Sequence, residues 1–177
     1  MQSAENARAV GAVRDLTAAG RGGRVGGVNS EVQYRYLFGP VPSRRLGLSL
    51  GVDLNPAKVC TENCVFCQVG RTTDLTLERK EWVPTADVLA EFDRWVAAGN
   101  RTDVVTLSGS GEPTMHARFG DVLRHVKARG RFKTAILSNG TLMFLPEVRR
   151  DAAEADVVKV TLSAWDEESF RKIHRPA

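Results

Sequence analysis

Apolar and polar residues alternate along residues 48–53. Side chains two residues apart lie on the same face of a strand, so this alternation predicts a β-strand, and Asn55-Pro56 predicts its end. A second apolar pattern follows at helical spacing and ends at Gly99; it consists of Val88, Leu89, Phe92, Trp95 and Val96. Apolar positions three and four residues apart form one face of a helix. The two patterns therefore predict a strand, a long loop and an amphipathic helix.

The same order of strand, loop and helix is predicted three more times. The strands are expected at residues 103–108, 133–137 and 157–162. The helices that follow are expected before Gly130, after Pro146, and around Phe170 and Ile173. Four βα units in succession indicate parallel strands joined by right-handed crossovers. The expected fold class is α/β, with a parallel sheet built from about four βα units.

Two regions are predicted from composition. Residues 1–33 are rich in Gly, Ala and Arg and are expected to form a disordered basic leader, whereas residues 34–177 are expected to fold as one domain with an extended lead-in. Residues 1–45 hold seven arginines against three acidic residues, and the rest of the chain is electrically balanced. This leader suits either nucleic-acid binding or plain solvation. No apolar run approaches the roughly 20 residues of a membrane span, so no membrane partner is expected. An odd number of clustered cysteines favours a reducing compartment, so a cytoplasmic location is expected.

The loops that follow the four strands carry most of the chemically active side chains. In a parallel sheet, the loops after the strands lie at the same end of the sheet. The cysteine loop, the loop containing Glu112, Ser138-Asn139 and Ser163 all follow strands. The pattern therefore predicts one site assembled at the carboxyl end of the sheet.

Cys60, Cys64 and Cys67 form the pattern C-x3-C-x2-C, and the chain has no other cysteine. Three clustered thiols argue against a set of disulfides and favour metal binding. Three thiolates can hold three corners of a 4Fe-4S cluster and leave the fourth iron open. Zinc held by three thiolates and a histidine is the alternative, although the histidines lie far along the chain, at positions 116, 125 and 174.

The octapeptide C-T-E-N-C-V-F-C resembles the signature of the radical S-adenosylmethionine (SAM) superfamily. The resemblance implies a partial (β/α)6 barrel, a 4Fe-4S cluster on the three cysteines, and SAM bound at the open iron. It also implies an electron donor of the flavodoxin or ferredoxin type, whose electron would cleave SAM to a 5′-deoxyadenosyl radical. In such a site, Phe66 would lie against the adenine, although ordinary packing within the loop is an equal alternative.

Further SAM contacts are implied by the resemblance of residues 108–114 to the superfamily's glycine-rich loop. Gly109 and Gly111 would let backbone carbonyls approach the ammonium group, and Glu112 would accept a hydrogen bond from it. A glycine turn at the start of a helix is the alternative. Lys159 and Ser163 are expected to contact the ribose or carboxylate, with Val158, Val160 and Leu162 facing the helices. An exposed edge strand with one solvated face is the alternative. Ser138 and Asn139 are similar candidates, unless they serve only the turn. No catalytic residue is assigned.

Residues 39–47, 108–114, 138–142 and Arg175-Pro176 resemble the bacterial and archaeal relatives of wyosine synthase. That subgroup suggests tRNA as a substrate. The superfamily core has six βα units and four are counted here, so we expect a truncated chain, a second chain that completes the barrel, or a degenerate descendant. Two alternative functions stay open: an activase that makes a glycyl radical on a partner protein, and a non-catalytic iron-sulfur or zinc module.

Overall fold

The computed structural model describes residues 33–130 and 132–177, so the predicted leader lies almost entirely outside the described residues. A single 3-10 turn at Pro113–Met115 precedes the second helix. The strands and helices follow in the order β1 Leu37–Ser43, β2 Gly47–Val52, β3 Val59–Cys60, β4 Asp74–Leu75, α1 Thr85–Ala97, β5 Val104–Leu107, α2 Phe119–Ala128, β6 Lys133–Ser138, α3 Pro146–Ala152, β7 Val157–Val160 and α4 Glu167–His174.

Five of the strands form one sheet in the order β1-β2-β5-β6-β7. Strands β2, β5, β6 and β7 pair in parallel, and each is followed by a helix, which confirms the predicted α/β fold of four βα units. The sheet is open, with β1 and β7 at its two edges, and so forms part of a barrel rather than a closed one. The carboxyl ends of its parallel strands lie at one end of the sheet, as expected.

The sequence prediction missed β1, which pairs with β2 in antiparallel orientation. Pro40 and Pro42 suggested an extended lead-in because the residue before a proline favours extended conformations. Proline also cannot donate a hydrogen bond within a sheet. An edge strand needs such donors on only one side and therefore tolerates proline. The pairing register of β1 shifts between Phe38 and Val41, where the first proline lies. The two-residue strands β3 and β4, which pair beside the cysteine loop, were missed because they are too short to show a pattern.

The predicted helical faces form the core against the sheet. Phe92 and Trp95 of α1 pack with Phe119, Val122 and Leu123 of α2, and each of these side chains is buried. Burial of large apolar side chains is the main favourable term in folding. The packing gives the strands a fixed platform from which their loops extend. None of the described helices is long and apolar enough to cross a membrane.

Strand β7 is shorter than predicted, and its side chains are exposed. We expected the apolar face of this strand to be covered by helices, but Val158 is 41 %, Val160 48 % and Leu162 90 % exposed. The expectation was wrong for the described residues because β7 has a neighbouring strand on one side only. In addition, the carboxyl end of α4 makes its backbone hydrogen bonds with the cysteine loop.

Glu91 joins helix α1 to the start of β1, and this contact is expected to contribute to the stability of the fold. Its buried carboxylate accepts hydrogen bonds from the backbone N–H groups of Arg35 at 3.0 Å, Tyr36 at 2.7 Å and Leu37 at 2.9 Å. We expect Glu91→Ala to lower the free energy of unfolding by about 2–4 kcal/mol, because buried donors lose their acceptor. Urea unfolding measures this loss. The control Asp87→Ala removes an exposed carboxylate from the same helix and should cost less than about 1 kcal/mol; equal losses would contradict this role for Glu91.

Candidate metal and cofactor site

The three cysteines lie in one loop between β3 and β4. Cys60 is the last residue of β3, and the backbone N–H of Cys67 donates to the carbonyl of Cys64 at 3.2 Å in a tight turn. The N–H of Gly70 donates in the same way to the carbonyl of Cys67. These turns keep the cysteines within one short segment. All three are free thiols, so each is available as a ligand.

The three thiols have different electrostatic surroundings. Burial is the main cause that raises the pKa of Cys60. Burial, together with a hydrogen bond to Glu62, raises the pKa of Cys64 to about 12. Burial is the largest single influence on Cys67 and would raise its pKa. The Lys58 ammonium, 2.9 Å from the sulfur, and the backbone N–H groups of Val69 and Gly70 together outweigh burial and lower the pKa of this thiol. Lys58, which the sequence reasoning did not single out, thus stabilises the thiolate form of Cys67.

These surroundings predict unequal reactivity of the thiols in metal-free protein. At about pH 8, iodoacetamide should modify Cys67 at least about tenfold faster than Cys64, because the thiolate is the nucleophile and Cys64 is almost fully protonated there. Peptide mass spectrometry measures the two rates. Lys58→Met should slow modification of Cys67, whereas the control Lys80→Met should not. Equal rates at Cys64 and Cys67 would contradict the assigned surroundings.

The donor set fits a cluster held by three thiolates. Thiolates are the usual protein ligands of iron-sulfur clusters, and three of them leave one iron without a protein ligand. Cys60 and Cys67 are also close enough to Cys64 for their charges to raise its pKa, so the three sulfurs share one site. A bound iron would favour all three thiolates and remove this mutual repulsion.

The structure corrects the assumption that every histidine is remote from the cysteines. His174 Nδ1 lies 3.4 Å from the Cys64 sulfur and 2.9 Å from Glu62 Oε2. Ligand atoms of Glu62, Cys64 and His174 all lie within 4.8 Å of one another, as a zinc-type site would need. Glu62 lies inside the cysteine motif, but His174 gave no sequence signal because 112 positions separate it from Glu62. Geometry alone therefore leaves the zinc alternative open.

Glu112 is buried and lies at the centre of a hydrogen-bond network. Its Oε1 accepts from the Thr114 backbone N–H at 3.1 Å, the Thr114 hydroxyl at 2.6 Å and the Ser138 hydroxyl at 2.8 Å. Its Oε2 accepts from the Asn139 N–H at 2.7 Å. Burial raises the pKa of Glu112, and these hydrogen bonds oppose the rise. Glu112 thus joins the loops after β5 and β6, and its contact with SAM stays a prediction.

Asn139 and the two predicted glycines bring these loops to the cysteine loop. The Asn139 side-chain amide donates to the Thr61 hydroxyl at 2.8 Å and lies 3.7 Å from the Cys60 sulfur. A Cβ atom at Gly111 would overlap the carbonyl oxygen of Val59, and Gly109 has a φ of +143° against Asp53. The close approaches at both glycines are therefore to other parts of the protein. They place the Glu112 loop directly beside β3.

The remaining predicted residues are more exposed. Phe66 is 50 % exposed, and its ring meets the His174 ring edge-on at 5.5 Å. Lys159 lies on β7 and donates to the Thr161 hydroxyl at 3.3 Å. Ser163 lines an open cleft with Trp165 and Ile173. The structure therefore groups the cysteines with Phe66, Gly111, Glu112 and Asn139, while Lys159 lies on the exposed strand β7 and Ser163 in the segment that follows it.

Comparison with known proteins identifies the family to which the chain is similar. Residues 54–177 match the radical SAM superfamily. A UPF0026 protein of Synechocystis is 38 % identical over 144 residues, which are 79 % of this chain and 52 % of the relative. A UPF0026 protein of Methanocaldococcus jannaschii is 36 % identical, with 78 % of this chain and 44 % of the relative covered. A probable GTP 3′,8-cyclase of Thermoplasma volcanium is 27 % identical over 71 % of this chain and 36 % of its own length.

The chain thus spans about half the length of the two UPF0026 proteins. The superfamily match begins before the cysteine loop and includes the three βα units that follow it. Members of this superfamily use a 4Fe-4S cluster and S-adenosylmethionine, which agrees with the donor set of the loop. On the extent of this match, the chain belongs to the radical SAM superfamily.

Proposed function

We propose that this chain forms the cluster-binding part of an enzyme that cleaves SAM reductively and uses the resulting radical on a substrate. One observation carries the proposal: Cys60, Cys64 and Cys67 are free thiols in a single segment that follows β2, at the carboxyl end of the parallel sheet. Such a segment can hold three irons and leave the fourth for the amino and carboxylate groups of SAM.

The bound cluster would supply one electron to the sulfonium, so that the bond between sulfur and the adenosyl 5′ carbon breaks to give methionine and a 5′-deoxyadenosyl radical. That radical would take a hydrogen atom from the substrate and become 5′-deoxyadenosine. Lys58 stabilises the Cys67 thiolate as a ligand, and Asn139 holds the β6 loop against Cys60. The exposed ring of Phe66 is available for the adenine, which would replace solvent on its face.

The other predicted contacts belong to the same proposal. Gly109 and Gly111 shape the loop after β5, so that its backbone carbonyls can receive the SAM ammonium. Lys159 and Ser163, at the β7 edge, would reach the ribose or carboxylate. A nearby wall of protein would also be needed to keep the radical from water.

Anaerobic reconstitution tests the proposal. Protein supplied with iron and sulfide, then with SAM and dithionite, should release 5′-deoxyadenosine and methionine in equal amounts. The control lacks dithionite and should release neither. Protein that is loaded with cluster but forms no deoxyadenosine would contradict reductive cleavage by this chain.

For the substrate, we propose tRNA. The proposal is supported by the resemblance of residues 39–47 and 138–142 to the wyosine-synthase relatives, and by a cleft beside the cysteine loop. Tyr34, Arg35 and Phe38 line this cleft, and such side chains stack on bases and neutralise phosphates. Mass spectrometry of nucleosides from treated tRNA should reveal a new modified base. Unchanged tRNA, under conditions that produce deoxyadenosine, would contradict this substrate.

For the electron donor, we propose an acidic one-electron carrier protein of the flavodoxin or ferredoxin type. Arg71 and Arg175 are exposed and line the same cleft as Cys64 and Cys67. Opposite charge would speed docking near the cluster and make it depend on salt. Arg71→Glu should slow reduction by a flavodoxin but not by dithionite, whereas Arg101→Glu, in the loop before β5, should slow neither.

A further inference from the structure

The carboxyl end of α4 is paired with the cysteine loop through the backbone. The Asn63 N–H donates to the His174 carbonyl at 2.9 Å, and the Val65 N–H donates to the Ile173 carbonyl at 2.9 Å. These two hydrogen bonds lie on either side of Cys64. Arg175, with a φ of +47°, ends the helix and turns the chain, so that Pro176 bridges to Glu62. The segment 173–177 thus forms a clamp along residues 61–65.

Side chains add a buried contact at the centre of this clamp. His174 is 2 % and Glu62 1 % exposed, and their nearest side-chain atoms are 2.9 Å apart. The Cys64 sulfur lies 3.1 Å from Glu62 Oε2 and 3.4 Å from His174 Nδ1. The His174 ring stacks on Phe170 with centroids 4.8 Å apart. The imidazole is therefore fixed in place, with one nitrogen facing both the carboxylate and the sulfur.

The chemistry of this contact changes when Cys64 binds iron. The thiol can then no longer donate to Glu62, and a carboxylate faces a thiolate with little solvent between them. Two like charges in such surroundings repel each other unless a donor lies between them. A proton on His174 Nδ1 is within reach of both groups. Hydrogen bonds to ligand sulfurs and nearby charges are the main protein contributions to the potential of a cluster.

We propose that His174, held by Glu62 and by the α4 clamp, is a positioning residue for Cys64 that stabilises the bound cluster and raises its reduction potential. This inference rests on the proposed function. Glu62 acts in the opposite direction on the potential, because its negative charge disfavours the additional electron. The remaining Glu62 oxygen, Oε1, is buried and has no hydrogen-bond partner among the described residues.

Three variants test this role in the full chain. His174→Phe keeps a ring against Phe170 but removes the donor, and should lose iron to a chelator about 10–100 times faster and have a more negative potential. His174→Asn keeps a donor near the Nδ1 position and should retain iron nearly as well as the wild type. Glu62→Gln removes the charge and should make the potential more positive. The readouts are iron and sulfide content, chelation rate, and a potentiometric titration followed by electron paramagnetic resonance.

The reduction potential is expected to shift in opposite directions in His174→Phe and Glu62→Gln. This difference separates the proposed role from simple damage to the fold. A merely structural role would move the potentials of His174→Phe and Glu62→Gln in the same direction, or leave both unchanged, and either result would overturn the inference. Failure of His174→Asn to restore iron retention would also overturn it. If the wild type binds the cluster and all variants equal it in iron retention and reduction potential, this inference is contradicted but the proposed function is not. Wild-type protein that takes up no iron would overturn the proposed function as well.

Discussion

Replacing Cys60, Cys64 or Cys67 with alanine is expected to remove most of the bound iron and to abolish release of 5′-deoxyadenosine. In the proposed site each thiolate would hold a different corner of the cluster, so two remaining ligands could not keep it in place against solvent. Iron and sulfide analysis after anaerobic reconstitution, together with chromatography of the SAM products, measures both effects. The matched control is His125→Gln, which changes a histidine on α2 that pairs with Asp93 on α1 and should leave iron uptake unchanged.

The same variants separate the cluster from the zinc alternative. A site on Glu62, Cys64 and His174 needs only one of the three cysteines. The cluster proposal therefore predicts equal loss of iron in all three variants. Zinc that remains in the Cys60→Ala and Cys67→Ala proteins, and is lost only in Cys64→Ala, would contradict the cluster and favour the alternative site.

The second large effect is expected at Glu112. Glu112→Ala should lower the free energy of unfolding by about 3–5 kcal/mol, because the buried Thr114 and Ser138 groups lose their acceptor and the Asn139 N–H loses its own. Glu112→Gln keeps the shape and one acceptor oxygen but turns an amide donor toward another donor, so it should cost less, about 1–2 kcal/mol. Urea unfolding in metal-free protein measures both losses. Equal losses in the two variants would contradict a network centred on the carboxylate.

The raised pKa of Glu112 gives this prediction a pH dependence. The folded state favours the protonated carboxyl, so the contribution of this group to stability is fully present below the pKa of the unfolded chain. It is lost as the pH rises from that value through the raised pKa of the folded state. Relative to Glu112→Gln, the wild type should therefore lose stability with rising pH across this interval. A constant difference between the two proteins would contradict a raised pKa.

The regular elements were predictable because their patterns are local. The alternation along residues 48–53 and the apolar stripe from Val88 to Val96 fall in β2 and α1, and Gly130 lies just beyond the end of α2. Side chains in these elements face one core, so their spacing follows the geometry of the element. Strand β1 was not predicted because it contains two prolines, which only an edge strand tolerates. The sequence does not indicate which strand will lie at an edge.

The site was predictable in part. The spacing of Cys60, Cys64 and Cys67 predicted a metal centre of the iron-sulfur kind with zinc as the alternative, and the position of the loops after the strands predicted that Glu112 and Asn139 lie beside the cysteine loop. The partners of the sulfurs were not predictable. Lys58 contacts Cys67 and His174 contacts Cys64 because the chain folds them together, and no sequence motif links either pair. The exposed β7 edge is where a further strand would attach, and the predicted second chain that completes the barrel stays a prediction.

The most direct test of the central claim is the effect of SAM on the electron paramagnetic resonance spectrum of the reduced, cluster-loaded protein. If the three cysteines leave one iron open, binding of the SAM amino and carboxylate groups to that iron should shift the g values and line shape of the signal. 5′-Methylthioadenosine, which lacks the amino and carboxylate groups of SAM, serves as the comparison at the same concentration and should leave the signal unchanged. A spectrum that stays the same when SAM is added in excess would mean that the fourth iron is closed, and would contradict the proposed function.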